Sequence, residues 1–207
     1  MSRRATILYE DSLGRTSRKQ YGPHELVAAL LADATGLDRL DILGQLRPHP
    51  TNGNRKLRTK CRKGVGVRIA PDCRPVVAVY DADKVAGLDP AFSGLRPEQI
   101  VDRLQQDCST PGKLRVVLLE RNVETIIETL ARIEPDAKPG GRLFGQYQQA
   151  LRKEVAARDA ILCRVAWGGE PMRTVRENLL AEVPSLARIL DVVREVWDSS
   201  ESCRTAP

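Results

Sequence analysis

The run Val76-Val77-Ala78-Val79-Tyr80-Asp81-Ala82-Asp83-Lys84 constrains the fold of this chain more than any other stretch. Its apolar, largely β-branched part fits an interior strand of a parallel sheet, which is buried on both faces. Ligands of such sheets bind in the crevice beyond the carboxyl ends of the strands. Two carboxylates stand at that end here. If the strand continues through them, side-chain alternation sends Asp81 and Asp83 to the same side, where two hard oxygen ligands suit one Mg²⁺ or Mn²⁺. The same tripeptide is also common as an aspartate turn that merely ends a strand, so the decision falls to other segments.

Two other segments repeat the pattern. Ala5-Thr6-Ile7-Leu8-Tyr9 reads as a strand running into Glu10-Asp11, and Leu114-Arg115-Val116-Val117-Leu118-Leu119 reads as a strand opening into Glu120-Arg121-Asn122-Val123-Glu124. In one parallel sheet, right-handed crossovers bring all these ends to one edge, where Glu10, Asp81, Asp83 and Glu124 converge. Like charges gathered in this way are costly unless a cation neutralises them, so convergence implies a metal. Glu124 has a second reading, as an acid favourably placed in the first turn of a helix.

The segments between and after these strands alternate helix and strand, which gives an α/β class. Pro23-His24-Glu25 opens a helix with Leu26, Val27, Leu30 and Leu31 on its apolar stripe and Gly36 at its end, and His24 there reads as solvent-facing or capping. A weak strand is expected over Leu40 to Leu46. Pro97 opens a further helix, Ser109-Thr110-Pro111-Gly112 is a turn, and Val123, Ile126, Ile127 and Leu130 define another helical stripe. Leu143 to Val165 has the mixed-charge pattern of one long amphipathic helix, broken by Gly168-Gly169. Two more helical faces follow, through Leu179 and through Leu186 to Trp197. The expected division is a catalytic core over residues 1–135, a helical extension packed on it over 136–198, and a disordered tail over 199–207.

Composition and charge narrow the function. With 42% hydrophobic and 29% charged residues and no apolar stretch of bilayer length, the chain reads as a soluble globular protein. The segment after Met1-Ser2-Arg3-Arg4 is too short for a secretory signal, so the cytoplasm is the expected compartment. Five scattered cysteines, Cys61, Cys73, Cys108, Cys163 and Cys203, form no C-x-x-C pair, and only His24 and His49 supply imidazoles, which argues against disulfide frameworks and structural zinc. The net charge is +6, and no acid lies between Asp41 and Asp72, while Arg47, Arg55, Lys56, Arg58, Lys60, Arg62, Lys63 and Arg68 accumulate. A phosphodiester backbone rewards such a tract through counterion release. Arg55, Lys56, Arg58 and Lys60 are the expected phosphate contacts, the alternative being a solvated basic loop through Gly64-Val65-Gly66. No aromatic residue interrupts the tract, so it is expected to hold backbone rather than stack on bases.

The strand Ile7-Leu8-Tyr9-Glu10, followed after an αβ stretch by Val79-Tyr80-Asp81-Ala82-Asp83, resembles the Toprim superfamily of topoisomerases, bacterial primases and several nucleases. The likeness covers residues 5–130. It implies a Rossmann-like Toprim fold, a mainly parallel sheet flanked by helices, with Glu10 as proton-transfer or metal-positioning group and Asp81 and Asp83 as Mg²⁺ ligands. Leu119-Glu120-Arg121-Asn122-Val123-Glu124 is similar to the glutamate-bearing junction of Toprim-like proteins from prokaryotic mobile elements and defence systems, including the overcoming-lysogenization-defect nucleases. That likeness assigns a metal-ligand role to Glu124 before Glu120, and implies a Mg²⁺-dependent or Mn²⁺-dependent nuclease working with an ATPase partner. Many family members have glycine after the catalytic glutamate, where this chain has Asp11 and Ser12. Two other readings stay open: a Toprim-like module that binds nucleic acid or a protein without cutting, and a haloacid-dehalogenase-type phosphatase built on Asp81-Ala82-Asp83-Lys84-Val85, with Asp81 as nucleophile.

Overall fold

Four parallel strands, β1 (Ala5–Tyr9), β2 (Leu46–Pro50), β3 (Val76–Asp81) and β4 (Leu114–Leu119), form one sheet in the order β2-β1-β3-β4. The computed structural model describes residues 5–10, 23–63, 76–108, 114–119 and 123–202. Tyr9 lies opposite Pro50 and Val79, and Asp81 opposite Leu119, so the strands end along one edge as their sequences predict.

Alternation sorts the strand residues between two hydrophobic layers. Ile7, Tyr9, Val77, Val79, Val117 and Leu119 face a large layer built with α1 (Pro23–Thr35), α6 (Val123–Ile133) and α10 (Pro184–Ser202). Leu8, Val76, Ala78, Tyr80, Leu114 and Val116 face a smaller layer. Its other members include Leu57 and Cys61 of α3 (Asn54–Arg62), Val85 of α4 (Ala82–Val85), and Leu104 of α5 (Pro97–Gln106). Leu57 and Val85 are wholly buried, and each such side chain contributes roughly 1.5–3 kcal/mol through removal of apolar surface from water. This burial anchors the two helices that flank the strand ends.

The weak strand expected over Leu40 to Leu46 is instead a helix, α2 (Arg39–Gln45), with the strand starting at Leu46. The Asp38 carboxylate accepts hydrogen bonds from the backbone N–H groups of Leu40 and Asp41, which caps the first turn and favours helix there. Pro48 and Pro50 are tolerated in β2 because it is an edge strand, with neighbours on one side only. Gly36 ends α1 as expected: at φ 71° it occupies the left-handed region, and its N–H donates to the Ala32 carbonyl.

The single long helix expected from Leu143 to Val165 is two, α7 (Arg142–Leu151) and α8 (Val155–Trp167), separated where Lys153 adopts φ 67°. A left-handed residue cannot continue a right-handed helix, so the chain turns back. Gly168 caps α8, and α9 (Glu170–Glu182) and α10 follow. α8 packs on α1, and α10 crosses β4, β1 and β3. Helices before and after residue 135 therefore share one hydrophobic layer. α10 runs on to Ser202, past the point where a disordered tail was expected, and residues 203–207 lie outside the described ones. Cys61, Cys108 and Cys163 are in no disulfide among the described residues. Among the described residues no helix is long and apolar enough to cross a membrane.

Candidate functional site

One short segment ties the ends of β1 and β3 together. The Thr51 backbone N–H and hydroxyl both donate to the Tyr9 carbonyl, at 3.0 and 2.9 Å, and the Gly53 N–H donates to the Glu10 carbonyl at 2.7 Å. The Asn54 side-chain amide donates to the Asp81 carbonyl at 3.1 Å. Asn52 at φ 59° and Gly53 at φ 114° make the reversal that puts all four hydrogen bonds within residues 51–54. A side chain at Gly53 would have space, but its backbone conformation is one that only glycine adopts without strain. The positions of Glu10 and Asp81 are therefore set by backbone contacts, independently of what their carboxylates do.

Those carboxylates sit together, with side chains 13% and 14% exposed. Lys84 Nζ bridges them, 2.9 Å from Glu10 Oε1 and 3.3 Å from Asp81 Oδ2. The other Glu10 oxygen, Oε2, is buried with no hydrogen-bond partner among the described residues. Burial first, then the hydrogen bond and charge of Glu10, push the Asp81 carboxyl up to about 8 against the opposing pull of Lys84. Asp81 therefore tends to keep its proton near neutrality. Burial works to lower the Lys84 pKa, but its hydrogen bonds and charge contacts with Glu10 and Asp81 outweigh it, so the ammonium is held protonated.

The pair opens on a cleft of about 210 Å³ lined also by Tyr9, His24, Glu124 and Arg158. Its floor is apolar, formed by β-strand residues and by Leu186 and Ile189 of α10. His24 stacks on Tyr9, with ring centroids 6.0 Å apart, and its Nδ1 lies 3.3 Å from the Tyr9 hydroxyl. Burial lowers its pKa to about 4, so the imidazole is neutral at pH 7. The expected solvent-facing or capping role for His24 is thus replaced by a place in the cleft wall. Arg158 comes from α8, a segment whose sequence carries few chemical cues, and only the packing of α8 on α1 brings it here.

Glu10, Asp81 and Glu124 line one cleft, as convergence of the strand ends predicts. Asp83 does not share the direction expected for it. The strand stops at Asp81, and Ala82 begins α4. Two residues along a helix rotate a side chain by about 200° instead of returning it to the same side. Asp83 is exposed in the first turn of α4 and is not among the cleft-lining residues. Among the described residues, no three His, Cys, Asp or Glu side chains are grouped closely enough to hold a metal ion. Glu120 and Asp11 lie outside the described residues.

The basic tract divides in two. Arg55, Lys56, Thr59, Arg62 and Lys63 are exposed. Their spacing places them along one side of α3. Arg58 lies on another side, committed to acids: its Nε donates to Asp107 at 2.8 Å, it pairs with Asp89 at 3.4 Å, and its guanidinium lies 5.0 Å from the Phe92 ring centroid. Lys60 contacts the His49 imidazole, whose pKa burial, then Lys60 and Arg47, lower. Arg58 and Lys60, grouped by sequence with Arg55 and Lys56 as phosphate contacts, thus already have protein partners. Gly64-Val65-Gly66 and Arg68 lie outside the described residues.

No protein-family model and no curated protein matches this chain. Among solved structures, the chain is similar over 99% of its length to 98% of the C-terminal region of the Xanthomonas campestris pv. campestris OLD protein phased with iodine, at 13% identity and a TM-score of 0.39. The same region phased with platinum aligns at 13% identity and a TM-score of 0.40, covering 98% of this chain and 97% of that one.

Proposed function

We propose that the protein is a nuclease of Toprim type, cleaving nucleic-acid phosphodiester bonds with Mg²⁺ or Mn²⁺ held at the ends of β1 and β3. The observation that carries this reading is the buried Glu10–Asp81 pair, with one oxygen unpartnered and one ammonium shared between two acids. An orphaned carboxylate oxygen beside a second carboxylate is costly to bury, and a divalent cation satisfies both the charge and the lone pairs. The donor set is all oxygen, which suits a hard cation. Glu10 and Asp81 would hold the metal, with Glu124 across the cleft, and with Asp83 if α4 turns toward it. The ion would supply Lewis acidity and a more acidic bound water. Glu10 would orient the attacking water and accept its proton. His24, neutral at pH 7, adds no charge to compete with the cation. The exposed cations of α3, whose amino terminus adjoins the cleft through Gly53, would track the phosphate backbone. A place in a prokaryotic defence or mobile-element system, with an ATPase partner, is proposed on the sequence resemblance alone.

The test is a cleavage assay with Mg²⁺ or Mn²⁺ on single-stranded and double-stranded DNA and RNA. Cleavage is expected, falling by at least about 100-fold in Asp81→Asn and Glu10→Gln, since removing a metal ligand or a general base typically costs this much. Circular dichroism of both variants should match the parent. Glu120→Gln is expected to be milder than Glu124→Gln.

A second reading is favoured by the absence of a three-ligand metal group among the described residues and by Lys84 filling the space between the acids. In this reading the module binds nucleic acid or a protein partner without cutting. Salt-sensitive binding with no turnover in either metal across the whole substrate panel would establish it in place of the first.

A further inference from the structure

Lys84 makes contacts that a metal at the same acids would have to break. Its Nζ is shared between Glu10 Oε1 and Asp81 Oδ2, on the same two carboxylates whose charge the proposed cation would neutralise. A magnesium ion needs about 2.1 Å to each such oxygen, whereas the ammonium sits at 2.9 and 3.3 Å from them. Two cations on the same pair of oxygens repel each other strongly in a half-buried cleft. The three side chains also differ in freedom. Both acids are fixed, because β1 and β3 are fastened to residues 51–54 by backbone contacts, and their carboxylates are 13% and 14% exposed. The Lys84 side chain is 53% exposed on a four-residue helix anchored by the fully buried Val85, so its long stem can swing into water without disturbing the core.

We infer that Lys84 is a resident counter-ion that occupies the carboxylate pair in the metal-free protein and is displaced when a divalent cation binds. The inference rests on the metal-binding reading proposed above. It makes Lys84 a determinant of metal affinity: an incoming cation must expel an ammonium, and apparent affinity is lowered by the fraction of molecules in which Lys84 is seated.

The experiment is calorimetric titration of Mg²⁺ and Mn²⁺ into metal-stripped full-length protein and its variants, with melting temperatures recorded in chelator and in saturating metal. Lys84→Met, which keeps the stem and removes the charge, is expected to tighten metal binding by about tenfold. It should also lower the melting temperature in chelator and enlarge the stabilisation by metal. Lys84→Arg, which keeps the bridge, should stay within about threefold of the parent. Arg158→Met removes an equal charge from the same cleft but leaves the Lys84 bridge in place, so its effect should be clearly smaller than that of Lys84→Met. Equal or weaker metal binding by Lys84→Met, or tightening no greater than in Arg158→Met, overturns the displacement. If no variant and no parent protein takes up metal at millimolar concentration, the metal-binding reading itself fails, and this inference falls with it. Lys84→Gln serves as the second variant should Lys84→Met not fold.

Discussion

The molecule contains two kinds of buried charge, and they are balanced differently. At the junction of α1 and α9, Arg176, 2% exposed, donates from Nε to Asp33 Oδ2 at 2.5 Å and from Nη2 to Oδ1 at 3.0 Å. Its Nη1 donates to the carbonyls of Val165 and Gly168. The fully buried Glu134 carboxylate is likewise met on both oxygens by Arg164, and by the Tyr147 hydroxyl. In both places the charges cancel and the carboxylate oxygens have partners. At the strand ends, two acids share one lysine and an oxygen of Glu10 has no partner among the described residues. A buried cluster with matched charge and both carboxylate oxygens satisfied behaves as part of the frame. One in which two acids share a single ammonium and leave a lone pair unused has capacity left for a ligand.

The largest effect expected from this contrast is on stability. Arg176→Met leaves Asp33 without its partner beside an apolar layer. Breaking a buried pair from one side costs about 3–5 kcal/mol, which for a domain of this size lowers the melting temperature by roughly 10 °C. Glu10→Gln keeps an acceptor oxygen for the half-exposed Lys84 and should change stability by less than about 1 kcal/mol. Urea melts of both variants in chelator make the comparison. A destabilisation in Glu10→Gln as large as in Arg176→Met would mean that the strand-end acids belong to the frame too.

The frame is the more legible of the two in sequence. The cores of β1, β3 and β4 are short, largely apolar runs with acids behind them, and in the sheet they lie parallel and side by side. β2 is hidden because Pro48 and Pro50 argue against any strand whose neighbours are unknown, and only its edge position makes them harmless. The turn after Asp81 departs from the expected alternation for a local reason. Ala82 and Lys84 favour helix, so the backbone leaves the extended conformation before it reaches Asp83. His24 and Arg158 are invisible as cleft residues because nothing near them in sequence encodes it. Each is carried there by the packing of a helix on a distant partner, a long-range contact with no local signature.

The contrast between satisfied and unsatisfied charge also separates the cations of α3, with a smaller effect. Replacing Arg55, Lys56, Arg62 and Lys63 together by alanine should weaken nucleic-acid binding across sequences. The slope of log affinity against log salt should fall by up to about 0.9 for each duplex-DNA phosphate that is no longer neutralised. Stability should barely move, since these side chains are exposed. Arg58→Ala should do the reverse, because it strips a partner from Asp89 and Asp107 and a cation from the face of Phe92. Filter binding over a salt series, beside thermal melts, reads both. An unchanged salt slope in the quadruple variant would move the binding surface elsewhere, with Arg158 the first residue to test.

The finest distinction is in pH dependence. Asp81, held at about 8 when folded, keeps its proton where the unfolded chain, with its ordinary value of 3.8, has lost it. Between these limits the folded state binds more protons, so this group makes stability fall as pH rises from about 4 to about 8. His24 acts in the opposite sense. Lowered to about 4 from 6.5, it is neutral in the folded state where the unfolded chain is protonated, so it makes stability rise with pH over that window. The two slopes oppose each other below pH 6.5, and above it only the Asp81 slope continues. In chelator, the parent protein should therefore become less stable from pH 6.5 to 8, and Asp81→Asn should be flat there. His24→Gln should make the decline begin at lower pH, since it removes the compensating rise. Saturating Mg²⁺ should remove the decline above pH 6.5, because a bound cation favours the ionised pair. Urea midpoints at pH 5, 6, 7 and 8 are sufficient to see this. A parent curve that rises through pH 8 without metal would show that the two acids are not crowded in solution, and with that the contrast between the cleft and the satisfied pairs of the frame would have no physical basis.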